Sequence, residues 1–190
     1  MTPHAGEFER LRAGSGHEPG EDGDLVDDDA ARAAAAKDAA ATWNQVVVLK
    51  GAKTVIAAPD GSVAIAPFEN PALASGGTGD VLSGTIGSLL AQKLDPFAAA
   101  RLGVYLHGLA GDAIRERFGD AGLLASDLPE AIAIARKRLA VIAERKATAG
   151  RLGFGSRDGG AAPGGGSGSD GTGPAAPGDT SPDGRAGAGR

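Results

Sequence analysis

The chain of 190 residues contains no cysteine. It can therefore form no disulfide framework, no thiolate zinc site and no cysteine nucleophile, and it suits a reducing, cytoplasmic setting. Aromatic residues are equally scarce, at 4% with a single Trp, so a large aromatic-lined binding surface is not expected. Basic residues do not prevail either: the net charge is −5 and the pI near 5.2. That balance argues against a nucleic-acid partner, whose binding rests on Lys and Arg releasing counterions from phosphates. No apolar run approaches the length of a membrane span, and Met1–Glu7 has neither the basic start nor the apolar stretch of a secretion signal. Neither membrane insertion nor secretion is expected.

What is abundant is small. Gly supplies 32 residues and Ala is plentiful, so 42% hydrophobic content must pack largely through small side chains. From Arg151 to Arg190 periodicity is lost, with 14 Gly and 4 Pro in 40 residues. Such composition cannot offset the entropy of ordering, and residues 149–190 read as a disordered tail following a domain over residues 1–148. Residues 13–29 hold seven carboxylates, Glu18, Glu21, Asp22, Asp24, Asp27, Asp28 and Asp29, in a surface loop. Their spacing is not that of an EF-hand, and a solvated charge run is favoured over a calcium site.

The remainder is regular. Ala30 to Thr42 is nearly pure Ala and predicts a helix. Val46 to Leu49 reads as a buried strand of a parallel sheet, and Thr54–Ala58 with Ser62–Ala66 as an edge hairpin around Pro59-Asp60-Gly61. A loop over residues 67–79 leads to helices over 80–92, 96–118 and 128–145. Pro96 suits a first helical turn, Gly119 and Gly122 a helix exit, and Ser126 or Asp127 a cap for the last helix.

The chemistry concentrates in Asn70–Gly84. Gly76, Gly77 and Gly79 around Thr78 let successive amides converge on one point, and the helix that follows brings its positive end there. That point suits a phosphate, although neither the Walker signature nor G-x-G-x-x-G is present. Asp80, at the junction of loop and helix, would be electrostatically unfavourable beside a bound nucleotide unless used. The chemical role open to it is general base, taking a proton from a hydroxyl that attacks a phosphoryl group; the structural role is a helix cap.

The stretch GGTGDVLSGTIGSLLAQ, followed by GVYLHGLAGD and GLLASDLPEAI, resembles the C-terminal half of the ADP-dependent NAD(P)H-hydrate dehydratases of the ribokinase-like superfamily. TPHAGE at the start and VVVLKGAKTVIAAPDG match in the same order, and the resemblance covers residues 1 to about 145. It implies an α/β fold, the C-terminal portion of a ribokinase-like three-layer sandwich with the N-terminal half missing. It implies a cofactor-repair activity, in which ADP (or ATP) phosphorylates the hydroxyl of hydrated NADH or NADPH and phosphate then leaves. By position, His4 and Asp80 would touch the hydrate substrate, with Asp80 as base. Lys50, Gly51, Ala52, Lys53 and Thr54 would border the adenine nucleotide, with Gly79 in the anion hole. Glu7 would reach Mg²⁺ through water, and the complete protein would be a homo-oligomer.

The resemblance departs at Ala5, where the family shows Pro, and at Lys53, where it shows Gly. Only about three strands are expected, so the cut predicts a bare sheet edge and an isolated chain that folds poorly and is inactive. His4 could also be a frayed surface residue, Lys50 an exposed lysine after a strand, His107 a structural histidine and Trp43 a packing residue. Two other functions remain open: a ribokinase-like kinase acting on a vitamin precursor, and a non-catalytic nucleotide-binding fragment.

Overall fold

The computed structural model describes residues 1–16 and 28–151, with side chains through residue 148. Glu18 to Asp27 and the tail beyond Arg151 lie outside the described residues. The elements run α1 (Ala5–Gly14), α2 (Asp29–Trp43), β1 (Val47–Leu49), β2 (Val55–Ala57), β3 (Val63–Ile65), α3 (Thr78–Ala91), α4 (Pro96–Phe118) and α5 (Leu128–Arg151). Single 3₁₀ turns occupy Pro71–Ala74 and Ala125–Asp127.

The strand side chains alternate between two helical layers, as a period of two requires. Val47, Leu49, Val55 and Ala57 face one way, against Phe8 of α1 and Ala35, Ala36, Ala39 and Ala40 of α2. Val48 and Ile56 face the other, against Leu82 and Ile86 of α3 and Ala100 and Val104 of α4. The alanines let α2 lie close on the sheet, so a core poor in aromatics still closes. Phe8 fills what they leave, fully buried; burying such a side chain contributes about 1.5–3 kcal/mol. A third cluster, Ala110, Ile114, Leu123 and Leu128, joins α4 to α5. Trp43 packs as expected, edge-on to Phe8 with centroids 5.8 Å apart, while its Nε1 donates to Ser15 Oγ at 2.8 Å.

The strands form a sheet in the order β1-β2-β3, antiparallel throughout, with Val47 opposite Ala57 and Ile56 opposite Ala64. Toward β2 the parallel pairing expected for Val46–Leu49 is corrected: five residues join β1 to β2, too few for the crossover that parallel neighbours need, while on its other edge β1 does pair in parallel. The β2–β3 hairpin is as predicted. The Ala58 amide donates to the Ser62 carbonyl at 2.9 Å, and Gly61 takes φ +87° in the turn.

Nor is the other edge of β1 bare. Val48 N–H donates to the Met1 carbonyl at 2.9 Å and Lys50 N–H to Pro3 at 2.8 Å, with a parallel bridge between His4 and Lys50. The opening residues, read in the sequence only as a motif, therefore extend the sheet and turn directly into α1. Two further expectations shift. Asp28 and Asp29 belong to α2 rather than to the acidic loop, Asp28 Oδ1 accepting from the Ala30 and Ala31 amides at 2.8 and 3.1 Å. Asp127 accepts from the Leu124 amide at 2.9 Å, closing the 3₁₀ turn before α5 instead of capping that helix. Among the described residues no helix is long and apolar enough to cross a membrane.

Candidate active site

The segment before α3 is a compact turn pinned from inside. Asn70 Oδ1 accepts from the Ala72 amide at 3.0 Å, while its Nδ2 donates to Asp112 Oδ1 of α4 at 3.0 Å. The buried Thr78 hydroxyl lies 2.6 Å from the Leu73 carbonyl and 2.8 Å from that of Ser75, sharing its proton between them. Gly77 enters the helix at φ +83°, a left-handed conformation that a side chain resists, and no side chain caps α3. The amides of Gly76, Gly77 and Gly79 have no acceptor among the described residues, so donors and the positive end of the α3 dipole coincide. Asp80 stands in that first turn, exposed.

From α4, His107 reaches the same turn. Its ring is buried and Nε2 lies 3.0 Å from the Thr78 carbonyl, so the neutral ring donates from Nε2. Burial lowers its pKa from the ordinary 6.5, against the opposing pull of that hydrogen bond.

The facing wall comes from the end of β1. Lys50 projects across the cavity, its Nζ 3.1 Å from where a Cβ on Gly79 would stand. The same ammonium lies 3.6 Å from Glu7 Oε2. Thr54 Oγ1 donates to the Gly51 carbonyl at 3.1 Å, closing the turn. Lys53 has φ +51°, a left-handed backbone that glycine would adopt with less strain. Its Nζ pairs with Asp29 at 3.1 Å and Glu69 at 2.9 Å, and these contacts raise its pKa.

His4 arrives through the parallel pairing of the N-terminal residues with β1. The Thr2 and Ser83 hydroxyls lie 2.9 Å apart, and Ser83 donates onward to the Gly79 carbonyl, so this segment is tied to α3. His4 caps α1: its Nδ1 accepts from the Glu7 amide at 3.3 Å while Glu7 Oε2 accepts from the His4 amide at 2.8 Å. That backbone hydrogen bond, with the charge of Lys50, holds the Glu7 carboxyl below its usual range despite some desolvation.

These walls enclose a cavity of about 920 Å³. Lys50, Gly51, Ala52 and Thr54 line one side; Gly77, Thr78, Gly79 and Asp80 line another; His4 stands at the rim. Three of the expected residues are not in its lining: Glu7, Lys53 and Gly76. Glu7 faces a shallower depression with Arg10 and Leu11, and the Lys53 ammonium is engaged by Asp29 and Glu69. Among the described residues no three His, Asp or Glu side chains gather as metal ligands.

Sequence reasoning missed Arg32, His107 as a cavity residue, and Phe68, whose ring lines the cavity 5.3 Å from Tyr105. Arg32 had a legible signal. It shares one helical stripe with Ala35, Ala36, Ala39 and Ala40, and all five are buried. Its guanidinium, pulled down in pKa by burial and pushed back by Asp29, donates to backbone carbonyls of the Lys50 turn.

The family model described as NAD(P)H-hydrate dehydratase matches residues 1–134. The chain belongs to the NAD(P)H-hydrate dehydratase family. It is 41% identical over 140 residues to the ADP-dependent (S)-NAD(P)H-hydrate dehydratase of Neisseria meningitidis serogroup B, covering 73% of this chain and 44% of that protein. To the bifunctional NAD(P)H-hydrate repair enzyme of Moorella thermoacetica it is 44% identical over 128 residues, 67% of this chain and 22% of that one. Among solved structures it is similar to the ADP/ATP-dependent NAD(P)H-hydrate dehydratase of Bacillus subtilis co-crystallised with ATP/Mg²⁺ and soaked with CoA. That match has a TM-score of 0.63 at 41% identity, over 72% of this chain and 47% of that one. A ribokinase-like superfamily protein of Enterococcus faecalis V583 matches at TM-score 0.53 and 28% identity, over 72% of this chain and 43% of that one. The α/β fold is therefore ribokinase-like, and the chain spans less than half the length of each of these relatives.

Proposed function

We propose that this chain carries the nucleotide-binding and phosphoryl-transfer half of an ADP-dependent dehydratase that returns hydrated NADH or NADPH to the dihydronicotinamide. The observation that supports it is the convergence, on one cavity, of the acceptor-free Gly77 and Gly79 amides, the Lys50 ammonium, the Asp80 carboxylate and the His4 imidazole. The amides and the ammonium meet the outer phosphate of an adenine nucleotide and stabilise the charge that grows on its oxygens as the phosphoryl group moves. Asp80, exposed to the cavity beside them, takes the proton of the hydrate hydroxyl as that oxygen bonds to phosphorus and AMP departs. The phosphate ester then leaves with both electrons of its C–O bond while the neighbouring ring carbon releases a proton, restoring the double bond. His4, at the rim, has Nδ1 accepting from the Glu7 amide and Nε2 3.4 Å from Glu7 Oε1, and its ring would contact the hydrate from there.

The test is to incubate the purified chain with hydrated NADH, ADP and Mg²⁺ and to follow the returning dihydronicotinamide absorbance together with AMP. Against the poor folding and inactivity the sequence suggests, and because β1 is paired on both edges, stoichiometric AMP and restored cofactor are expected, with ADP raising the melting temperature. A stable phosphorylated product would point instead to a kinase. No ADP-dependent rise in melting temperature would contradict the nucleotide site itself.

A further inference from the structure

We propose that Arg32, on the alanine-rich helix α2, is the positioning residue that fixes the Leu49–Ala52 turn and, through it, aims the Lys50 ammonium at the anion-binding turn. The proposal rests on the nucleotide site described above and extends it to a side chain outside the cavity.

Arg32 is 3% exposed. Its Nη1 donates to the Ala52 carbonyl at 2.5 Å and its Nη2 to the Leu49 carbonyl at 3.3 Å, so one rigid fork grips the chain on both sides of Lys50 and Gly51. The approach is so close that a Cβ on Gly51 would stand 2.6 Å from Nη2 and 3.1 Å from Cζ. Glycine at 51 is thus matched to arginine at 32. Asp29, one helical turn before, lies 3.7 Å from Nη1 and 3.1 Å from Lys53 Nζ, which ties residue 53 to the same helix end. On the opposite side the Lys50 amide is held by the Pro3 carbonyl. From between these anchors the Lys50 side chain reaches across the cavity, its Nζ 3.1 Å from where a Cβ on Gly79 would stand.

The residue type argues the same way. Every other buried position on this stripe of α2 is alanine, which covers the sheet at no electrostatic cost. A buried guanidinium is tolerated only where its donors are met, and here they are met by the carbonyls of a turn that borders the cavity. An apolar side chain would serve the packing equally well; it would leave the turn free.

Trypsin cuts after Lys50 and Lys53, both in the turn, so its cleavage rate there reads the order of the turn without any nucleotide. Arg32→Ala, Arg32→Lys and Gly51→Ala are each expected to speed cleavage at these two bonds by about tenfold or more while circular dichroism and a cooperative melt are retained. Lysine keeps the charge but cannot span both carbonyls. ADP affinity should fall about tenfold in each; because Gly51→Ala also strains the backbone, at φ +159°, the comparison that isolates the fork is Arg32→Lys against wild type. Should Arg32→Ala fail to fold, Arg32→Lys carries the test, because it keeps the stem and the charge and loses only the fork. Unchanged cleavage in Arg32→Lys, or undiminished ADP affinity there, would overturn the proposal. A wild-type chain that resists trypsin at these bonds, loses that resistance in the variants, yet never binds ADP would overturn the nucleotide reading and leave the clamp standing.

Discussion

Replacing Gly79 by alanine should make the protein more stable and worse at its work. Gly79 lies in the first turn of α3 with an ordinary helical backbone, so alanine fits the conformation and removes the entropic cost of glycine in a helix, roughly 0.5–1 kcal/mol. Only the Lys50 side chain stands within 4 Å of the new Cβ, with Nζ at 3.1 Å. That atom is the end of a flexible chain and can retreat at little cost. For a domain of this size the melting temperature should rise by about 2–4 °C. The retreat, however, withdraws the ammonium from the anion-binding turn. A hydrogen bond to a charged group is worth about 1.5–3 kcal/mol, so ADP should bind about ten- to a hundredfold more weakly. Thermal melts without nucleotide and calorimetric titration with ADP measure the two halves separately. A lower melting temperature would refute the packing argument, and undiminished ADP affinity would refute the role given to Lys50 and the turn.

His107 should make stability depend on pH in one direction. Burial lowers its folded pKa below the ordinary 6.5, so the unfolded chain takes up the proton first. The stability held above about pH 6.5 should therefore be lost as pH falls towards the folded value. His107→Gln, which keeps a donor for the Thr78 carbonyl, should remove that part of the slope; a wild-type-minus-variant difference in urea midpoint that is flat from pH 7.5 to about 5.5 would contradict this. Gly108→Ala places a Cβ within 2.2–2.6 Å of the Phe68 ring and should cost about 1–3 kcal/mol in urea unfolding. Adding Phe68→Leu should recover part of it. Asp28→Ala removes the acceptor for the Ala30 and Ala31 amides and should cost about 1 kcal/mol in the same assay.

Local signals carried most of the architecture. The alanine run, the proline opening α4, the glycine closing it and the Pro59-Asp60-Gly61 turn each act through neighbours in sequence, and the elements they predict stand where expected. The parallel reading of β1 holds on the edge it shares with the opening residues and fails toward β2, because a short apolar run suits either neighbour and the five-residue link decides that side. The helix α1 was missed because its cap is His4, a residue without the usual capping chemistry, working through Glu7.

At the site, the glycine turn and Asp80 were legible because their chemistry lies in contiguous residues. Lys50 and His4 came from resemblance, and the structure brings both to that cavity, whereas Lys53 is turned aside by two carboxylates. Arg32 and His107 act on carbonyls 17 and 29 residues away, a partnership no local pattern announces.

The role of Asp80 is tested most directly by Asp80→Asn, which preserves shape and removes the charge that accepts a proton. Wild-type chain and variant should bind ADP with similar affinity, while restoration of the dihydronicotinamide from its hydrate should slow by about 10²–10⁴-fold in the variant. Restoration at the wild-type rate by the asparagine variant would contradict the account.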